Sequence, residues 1–197
     1  MRLADARKDQ YRRLAKDQGY RARSAYKLLQ LNKSYHVLKR HAKVVDLGCA
    51  PGGWLQVAAK EVGPAGRVVG IDIKPVEPVT GAIVLQGSIE DPAMMEKVAI
   101  ALDGKADTVL SDLAPNVSGI WEVDHARQIS LSTIALNFAR QVSRHGGSAV
   151  FKVFEGDMLR EFRVELGKSF GRVLLSKPSA SRQQSSELYI VCLDFRS

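Results

Sequence analysis

The stretch Val44-Val45-Asp46-Leu47-Gly48-Cys49-Ala50-Pro51-Gly52-Gly53-Trp54 constrains this chain more than any other. A β-branched run ends in an acid and a glycine, a Pro-Gly-Gly corner follows, and Leu55-Gln56-Val57-Ala58-Ala59 has a helical composition. That order is strand, tight turn, helix. Glycines at the turn let the backbone approach a ligand, and the helix N-terminus leaves amide donors facing outward. Open α/β sheets bind ligands at such carboxyl ends of strands.

The same alternation continues to the C-terminus. After a first strand from Lys43, strands are expected at Val68–Ile73, Ile83–Gln86, Thr108–Asp112, Ser148–Phe154, Val173–Leu175 and Leu188–Leu193. Helices are expected at Trp54–Val62, at Pro92–Leu102, from about Asp124 to Arg144 before Gly146-Gly147, and after an Asp157 cap. In that reading Arg140, Arg144 and His145 lie in the last turns of the long helix, where positive charge suits the dipole. Upstream, Ser24 is placed to cap a helix whose Ala25, Leu28 and Leu29 dock on the body, with Lys27 inside it. No helix separates the last two strands. The pattern predicts an α/β fold with a mostly parallel seven-stranded sheet, helices on both faces and an antiparallel C-terminal hairpin. A length of 197 residues fits one domain. It divides into a basic arm and docked helix at 1–43 and a core at 44–197. The loop from Val117 to Val123 has no assigned shape.

Charge is unevenly placed. Residues 1–43 carry 13 Lys/Arg against 3 Asp/Glu, and residues 44–197 carry 16 against 18. A basic arm on a nearly neutral core points to a polyanion at one end of the molecule, nucleic acid rather than membrane. No apolar run reaches the roughly 18 residues of a membrane span, and the polar N-terminus lacks a signal-peptide core, so a cytoplasmic protein is expected. Cys49 and Cys192 are too few for a disulfide framework and lack Cys-x-x-Cys spacing. The four histidines show no metal-ligand spacing, so no metal is expected, and the expected oligomeric state is monomeric.

Two nucleotide cofactors compete for the opening stretch. The dinucleotide fingerprint needs Gly-x-Gly-x-x-Gly, but Ala50 stands where the middle glycine belongs. The remaining features are a glycine corner and Asp72, an acid ending the second strand 24 residues after Gly48. They suit an adenosine without a pyrophosphate, as in S-adenosylmethionine. Asp112 ends the fourth strand, and Lys152 interrupts the apolar run Val150-Phe151-Val153-Phe154 of the fifth. Such a lysine is either salt-bridged or part of a site. Glu187 opens the last strand, and Lys27 can reach the same edge from the docked helix. Trp54 either stacks near a ligand or packs in the core, and Trp121 either stacks on RNA or anchors its loop. Tyr189 is read as packing.

Asp-Leu-Gly-Cys-Ala-Pro-Gly-Gly-Trp (46–54), Ser-Asp-Leu-Ala-Pro-Asn (111–116), Phe-Lys-Val-Phe (151–154) and Ser-Glu-Leu-Tyr-Ile-Val (186–191), after Arg-Ser-Ala-Tyr-Lys-Leu (23–28), resemble the FtsJ/RrmJ (RlmE) ribose methyltransferases. The resemblance runs from about Gly19 to the C-terminus. It implies a Rossmann-like class I methyltransferase fold, S-adenosylmethionine as donor with S-adenosylhomocysteine as product, and 2′-O-methylation of RNA. The implied substrate is a uridine of large-subunit ribosomal RNA. It also implies a catalytic set at Lys27, Asp112, Lys152 and Glu187, and donor contacts at Gly52, Trp54, Asp72 and Asp112. Where the family has an acid after the third strand to hold the adenine amino group, this chain has Ser88. Its hydroxyl can accept that bond, or Glu90 or Asp91 can turn in.

For such a reaction a ribose hydroxyl must be held in line with the methyl group and lose its proton as attack begins. Lys152 is the chosen base. An apolar strand and the cation of Lys27 disfavour its charge, whereas Asp112 and Glu187 favour it, and if it stays charged it orients the hydroxyl instead. Competing readings are a methyltransferase for transfer RNA or another RNA, and a non-catalytic RNA-binding or ribosome-assembly factor on the same fold.

Overall fold

The computed structural model describes residues 3–182 and 184–196, with side chains from residue 10 onward. Arg2, the arm's first side chains and Gln183 of the last loop, part of the expected polar surface, lie outside the described residues.

Seven strands are described: β1 (Lys43–Leu47), β2 (Arg67–Asp72), β3 (Ile83–Gln86), β4 (Ala106–Ser111), β5 (Ser143–Phe154), β6 (Phe170–Ser176) and β7 (Glu187–Phe195). With them are six helices, α1 (Leu3–Asp17), α2 (Ala25–Tyr35), α3 (Gly53–Val62), α4 (Pro92–Leu102), α5 (Trp121–Val142) and α6 (Leu159–Gly167). The sheet order is β3-β2-β1-β4-β5-β7-β6. Strands β1 to β5 run parallel, and β7 lies antiparallel between β5 and β6. The chain leaves β1 towards β3 and returns to β4 on the other side, so the order reverses between β1 and β4. Their carboxyl ends form the crevice in which open sheets bind ligands.

Alternation along the strands sorts the core into two layers. Val45, Val109, Phe151 and Val153 face α4, α5 and α6 through Met94, Val98, Leu136, Phe162 and Leu166. Val44, Leu110, Val150 and Val191 face α2 and α3 through Leu28, Leu31, Leu55 and Ala58. The arrangement agrees with the sheet and two-sided helix layers expected from sequence.

Local boundaries differ in several places. Helix α5 begins at Trp121, inside the segment left without a shape, rather than at Asp124, because Asp124 in its first turn accepts the Ser118 and Gly119 N–H groups. Helix α5 ends at Val142, with Ser143 extended at φ −71° and ψ 145°. Arg144 and His145 therefore belong to β5, where pairing jumps from Ala106↔Ser143 to Thr108↔Ser148. Gly146 and Gly147 serve this irregularity: Gly146 has φ 72°, and a Cβ on Gly147 would meet the Arg144 carbonyl at 2.9 Å. Arg144 pairs with Asp107 rather than facing the helix end. Among the described residues Asp157 caps no helix; α6 begins after Met158, whose backbone N–H donates to His125 Nε2 at 3.2 Å. Ser24 occupies the N-cap position of α2 in a helical conformation and makes no side-chain cap. Its carbonyl instead accepts the Trp54 indole N–H at 2.8 Å, which ties α2 to α3. The buried face of α2 is Ala25, Lys27, Leu28 and Leu31, with the expected Leu29 half-buried against the same cluster.

Candidate active site

Two neighbouring strands build the floor of the site. In the β5–β7 pairing Lys152 lies opposite Tyr189 and Phe154 opposite Glu187, and a period of two puts these four on one face. Helix α2 crosses this face and delivers Lys27, whose Nζ donates to Glu187 Oε2 at 2.8 Å and sits 5.5 Å above the Tyr189 ring. That distance is within cation–π range. Lys152 Nζ donates to the Asp112 carbonyl at 2.6 Å and lies 3.4 Å from Asp112 Oδ1. The Tyr189 hydroxyl donates to the same Oδ1 at 2.8 Å. Lys27 and Lys152 are 8% and 6% exposed, so neither is a solvated surface lysine.

The carboxylates respond to these neighbours. Burial pushes the Glu187 carboxyl up, but the charge and hydrogen bond of Lys27, with the charge of Lys152, outweigh it and hold Glu187 below its ordinary range. Burial, the Asp112 and Glu187 charges and the bond to Asp112 all raise Tyr189, so its phenol keeps the proton it donates. At the end of β1, Asp46 is fully buried, and neither of its oxygens has a hydrogen-bond partner among the described residues. Burial first, then Asp112 and Asp72, push it well above the carboxylate range.

The adjacent corner is held by protein contacts. Asp72 Oδ2 accepts the Ala50 N–H and Oδ1 the Lys74 N–H, both at 2.8 Å, leaving further lone pairs on each oxygen. Gly48 and Gly52 have φ 76° and 108°. A Cβ would meet Leu113 at Gly48 and Arg21 with Val79 at Gly52. Backbone conformation and close protein packing thus both call for glycine at these two positions. Arg21 fastens the corner: its guanidinium donates to the carbonyls of Pro51 at 3.2 Å and of Glu77 and Pro78 at 2.6 Å. Trp54 is buried, packed 5.8 Å from Tyr189 by ring centroids, with its indole N–H on Ser24. Ser88, beyond β3, accepts the Glu90 N–H on its hydroxyl at 3.1 Å, while Asp91 caps α4 through the Ala93 N–H.

Lys27, Asp112, Lys152 and Glu187 thus meet, whereas Asp72, Gly52 and Ser88 lie along the neighbouring strand ends towards β3. A family model of FtsJ-like methyltransferases matches residues 20–195. The chain belongs to the FtsJ-like methyltransferase family. It is 52% identical over 195 residues to the ribosomal RNA large subunit methyltransferase E of Nitrosopumilus maritimus, covering 99% of both chains. The same-named protein of Cenarchaeum symbiosum is 51% identical over 196 residues, at 100% of both. A solved chain from Plasmodium falciparum, described as a ribosomal RNA methyltransferase, superposes with a TM-score of 0.80 at 31% identity, over 89% of this chain and 98% of that one.

In this FtsJ-like methyltransferase the site has no activated thiol, since burial raises both Cys49 and Cys192. Paired lysine and carboxylate side chains at strand ends are suited to orienting a hydroxyl and handling its proton, not to covalent catalysis. Sequence reasoning misses three members. Tyr189 reads as packing, although it shares the Glu187 face by strand period. Asp46 stands within the opening motif but carries no sign of a role there. Arg21 gives no signal beyond membership of a basic segment.

Proposed function

We propose that the protein transfers a methyl group from S-adenosylmethionine to a ribose 2′-hydroxyl of RNA, with large-subunit ribosomal RNA as the substrate. The observation that carries this reading is the joining of the Lys27–Glu187 and Lys152–Asp112 pairs beside the β1–β4 crevice. The names of the 52% and 51% identical relatives support the substrate.

The crevice fits the donor's chemistry. Asp72 retains lone pairs for a ribose diol, and the N-terminus of α3 presents amides at the Gly52 corner. The acids Asp72 and Asp112 favour a sulfonium cation. Gly52, Trp54, Asp72, Ser88 and Asp112 are the residues assigned to hold it, Trp54 through its backbone because its indole is engaged. When bound, the donor supplies an electrophilic methyl on positive sulfur.

The protein's own groups handle the hydroxyl. Lys152, held beside Asp112, would act in its uncharged amine form and accept the proton that the ribose hydroxyl gives up. Lys27 and Glu187 fix the ribose through a charged donor and an acceptor. Tyr189 holds the Asp112 carboxylate that positions Lys152. Incubation with methyl-labelled donor and isolated large subunits or total RNA, followed by digestion to nucleosides, is the test. Label in 2′-O-methylribose is expected. Donor binding without transfer to any RNA would instead favour a non-catalytic assembly factor.

A further inference from the structure

One aromatic cluster has no part in the transfer chemistry. Trp121, the first residue of α5, is 45% exposed; Val117 and Ile120 just before it are exposed too, as is Met158, whose N–H bonds the His125 that stacks with Trp121. A half-bare tryptophan at a helix N-terminus contributes little to the core, and contiguous exposed apolar surface marks a binding site. The ring is nevertheless held by two neighbours. It stacks on Phe154 at 6.1 Å and 27°, and on His125 at 6.0 Å and 22°.

His125 is itself fixed. Its Nε2 accepts the Met158 N–H, and Gly156 packs so closely that a Cβ would come within 2.6 Å of the imidazole. The loop leading to Trp121 is closed by Asp124, which accepts from the Ser118 N–H at 2.6 Å, the Ser118 hydroxyl at 2.8 Å and the Gly119 N–H at 3.0 Å. The platform therefore exists before any ligand arrives.

Its position relates it to the transfer site. Phe154, stacked with Trp121, pairs across the sheet with Glu187 and follows Lys152 by two residues on the same strand. A strand rises about 3.3 Å per residue, so the stack begins about 7 Å from Lys152 along β5, within one nucleotide's span. We propose that Trp121, backed by Phe154 and His125, is a stacking subsite for a nucleobase of the RNA substrate adjoining the methylated ribose. This subsite rests on the ribose-methylation reading. Single-stranded RNA offers splayed bases that stack on aromatic faces without sequence restriction.

The test compares the full-length wild type with Trp121→Phe and Trp121→Leu, because leucine still covers Phe154 but offers no π face. With isolated large-subunit RNA and labelled donor, Trp121→Leu is expected to raise the KM for RNA about 5- to 150-fold, the range of base–aromatic stacking. Its kcat at saturating RNA and its donor Kd should stay at wild-type values, with Trp121→Phe close to wild type. In a second arm, single-stranded oligouridylate should quench wild-type tryptophan fluorescence, and Trp121→Leu should remove the quench because Trp54 is buried. Unchanged KM in Trp121→Leu, or a KM raised equally in both variants, overturns the subsite while leaving the methylation reading intact. If the wild type transfers no label, that reading fails and the quench alone decides the platform. Concentration-dependent self-association abolished by Trp121→Leu, without quenching by RNA, would assign the surface to a second copy and overturn the proposal.

Discussion

Charge and basicity can be separated at Lys152. Arginine would keep a cation beside Asp112 yet not surrender its proton to serve as base. Lys152→Arg is expected to lower kcat about 100- to 10,000-fold at every pH tested, the usual contribution of general-base catalysis, with donor Kd little changed. Full activity across the pH range would remove Lys152 from the role of base. Asp46 provides a second residue-scale test, through stability. The unfolded chain ionises this carboxyl near pH 4, whereas the folded chain holds its proton to higher pH because burial, Asp112 and Asp72 raise it. Its contribution is therefore complete below about pH 4 and falls as pH rises through the raised folded value, by at most about 1.4 kcal/mol per unit. Asp46→Asn lacks that slope. Urea unfolding from pH 4 to 8 should show the wild type losing stability relative to the variant, and a constant difference would mean that Asp46 ionises normally in the fold. Lys152 stood out in the sequence because a charge in an apolar run needs a partner, whereas Lys27, Asp112 and Glu187 were joined to it as a set by the family resemblance. Tyr189 did not stand out, because tyrosine suits a buried strand whether or not its hydroxyl is used.

At the scale of elements, the segment before α2 joins parts that lie far apart along the chain. One guanidinium, Arg21, bonds the loop after β1 and the loop after β2 together, and its backbone N–H donates to Gln56 of α3. Arg21→Ala should loosen both loops and raise donor Kd about 3- to 10-fold by calorimetry, given about 0.5–1.5 kcal/mol for each exposed bond only partly expressed in binding. Unchanged donor affinity would confine Arg21 to surface decoration. Strand and helix order was legible because apolar alternation and glycine–proline punctuation are local signals. The limits of α5 and α6 were not, since they depend on the Ala106↔Ser143 pairing and on His125 reaching the Met158 N–H, both contacts distant in sequence.

For the whole molecule, the arm is stitched to the core at several points. Tyr11 packs on Tyr26 and its hydroxyl lies 3.2 Å from Ser179 Oγ, Arg23 donates to the Ala180 carbonyl, and the Ala180 N–H donates to Gln30. We propose that arm and core unfold as one unit. Arg12, Arg13 and Lys16 are exposed on α1, where they can meet phosphates. Replacing all three with glutamine should weaken RNA binding and reduce the slope of log K against log salt by about 0.7 for each phosphate no longer neutralised, leaving donor affinity unchanged. An unaltered slope would take RNA off the arm. The nine residues from Gly19 to Lys27 fasten the Pro51 corner through Arg21 at one end and β7 through the Lys27–Glu187 pair at the other. In the proposed reading a tether fixed at both ends is a physical route for coupling, and linkage makes any such coupling mutual: whatever factor RNA adds to donor affinity by settling this segment, the donor must return to RNA.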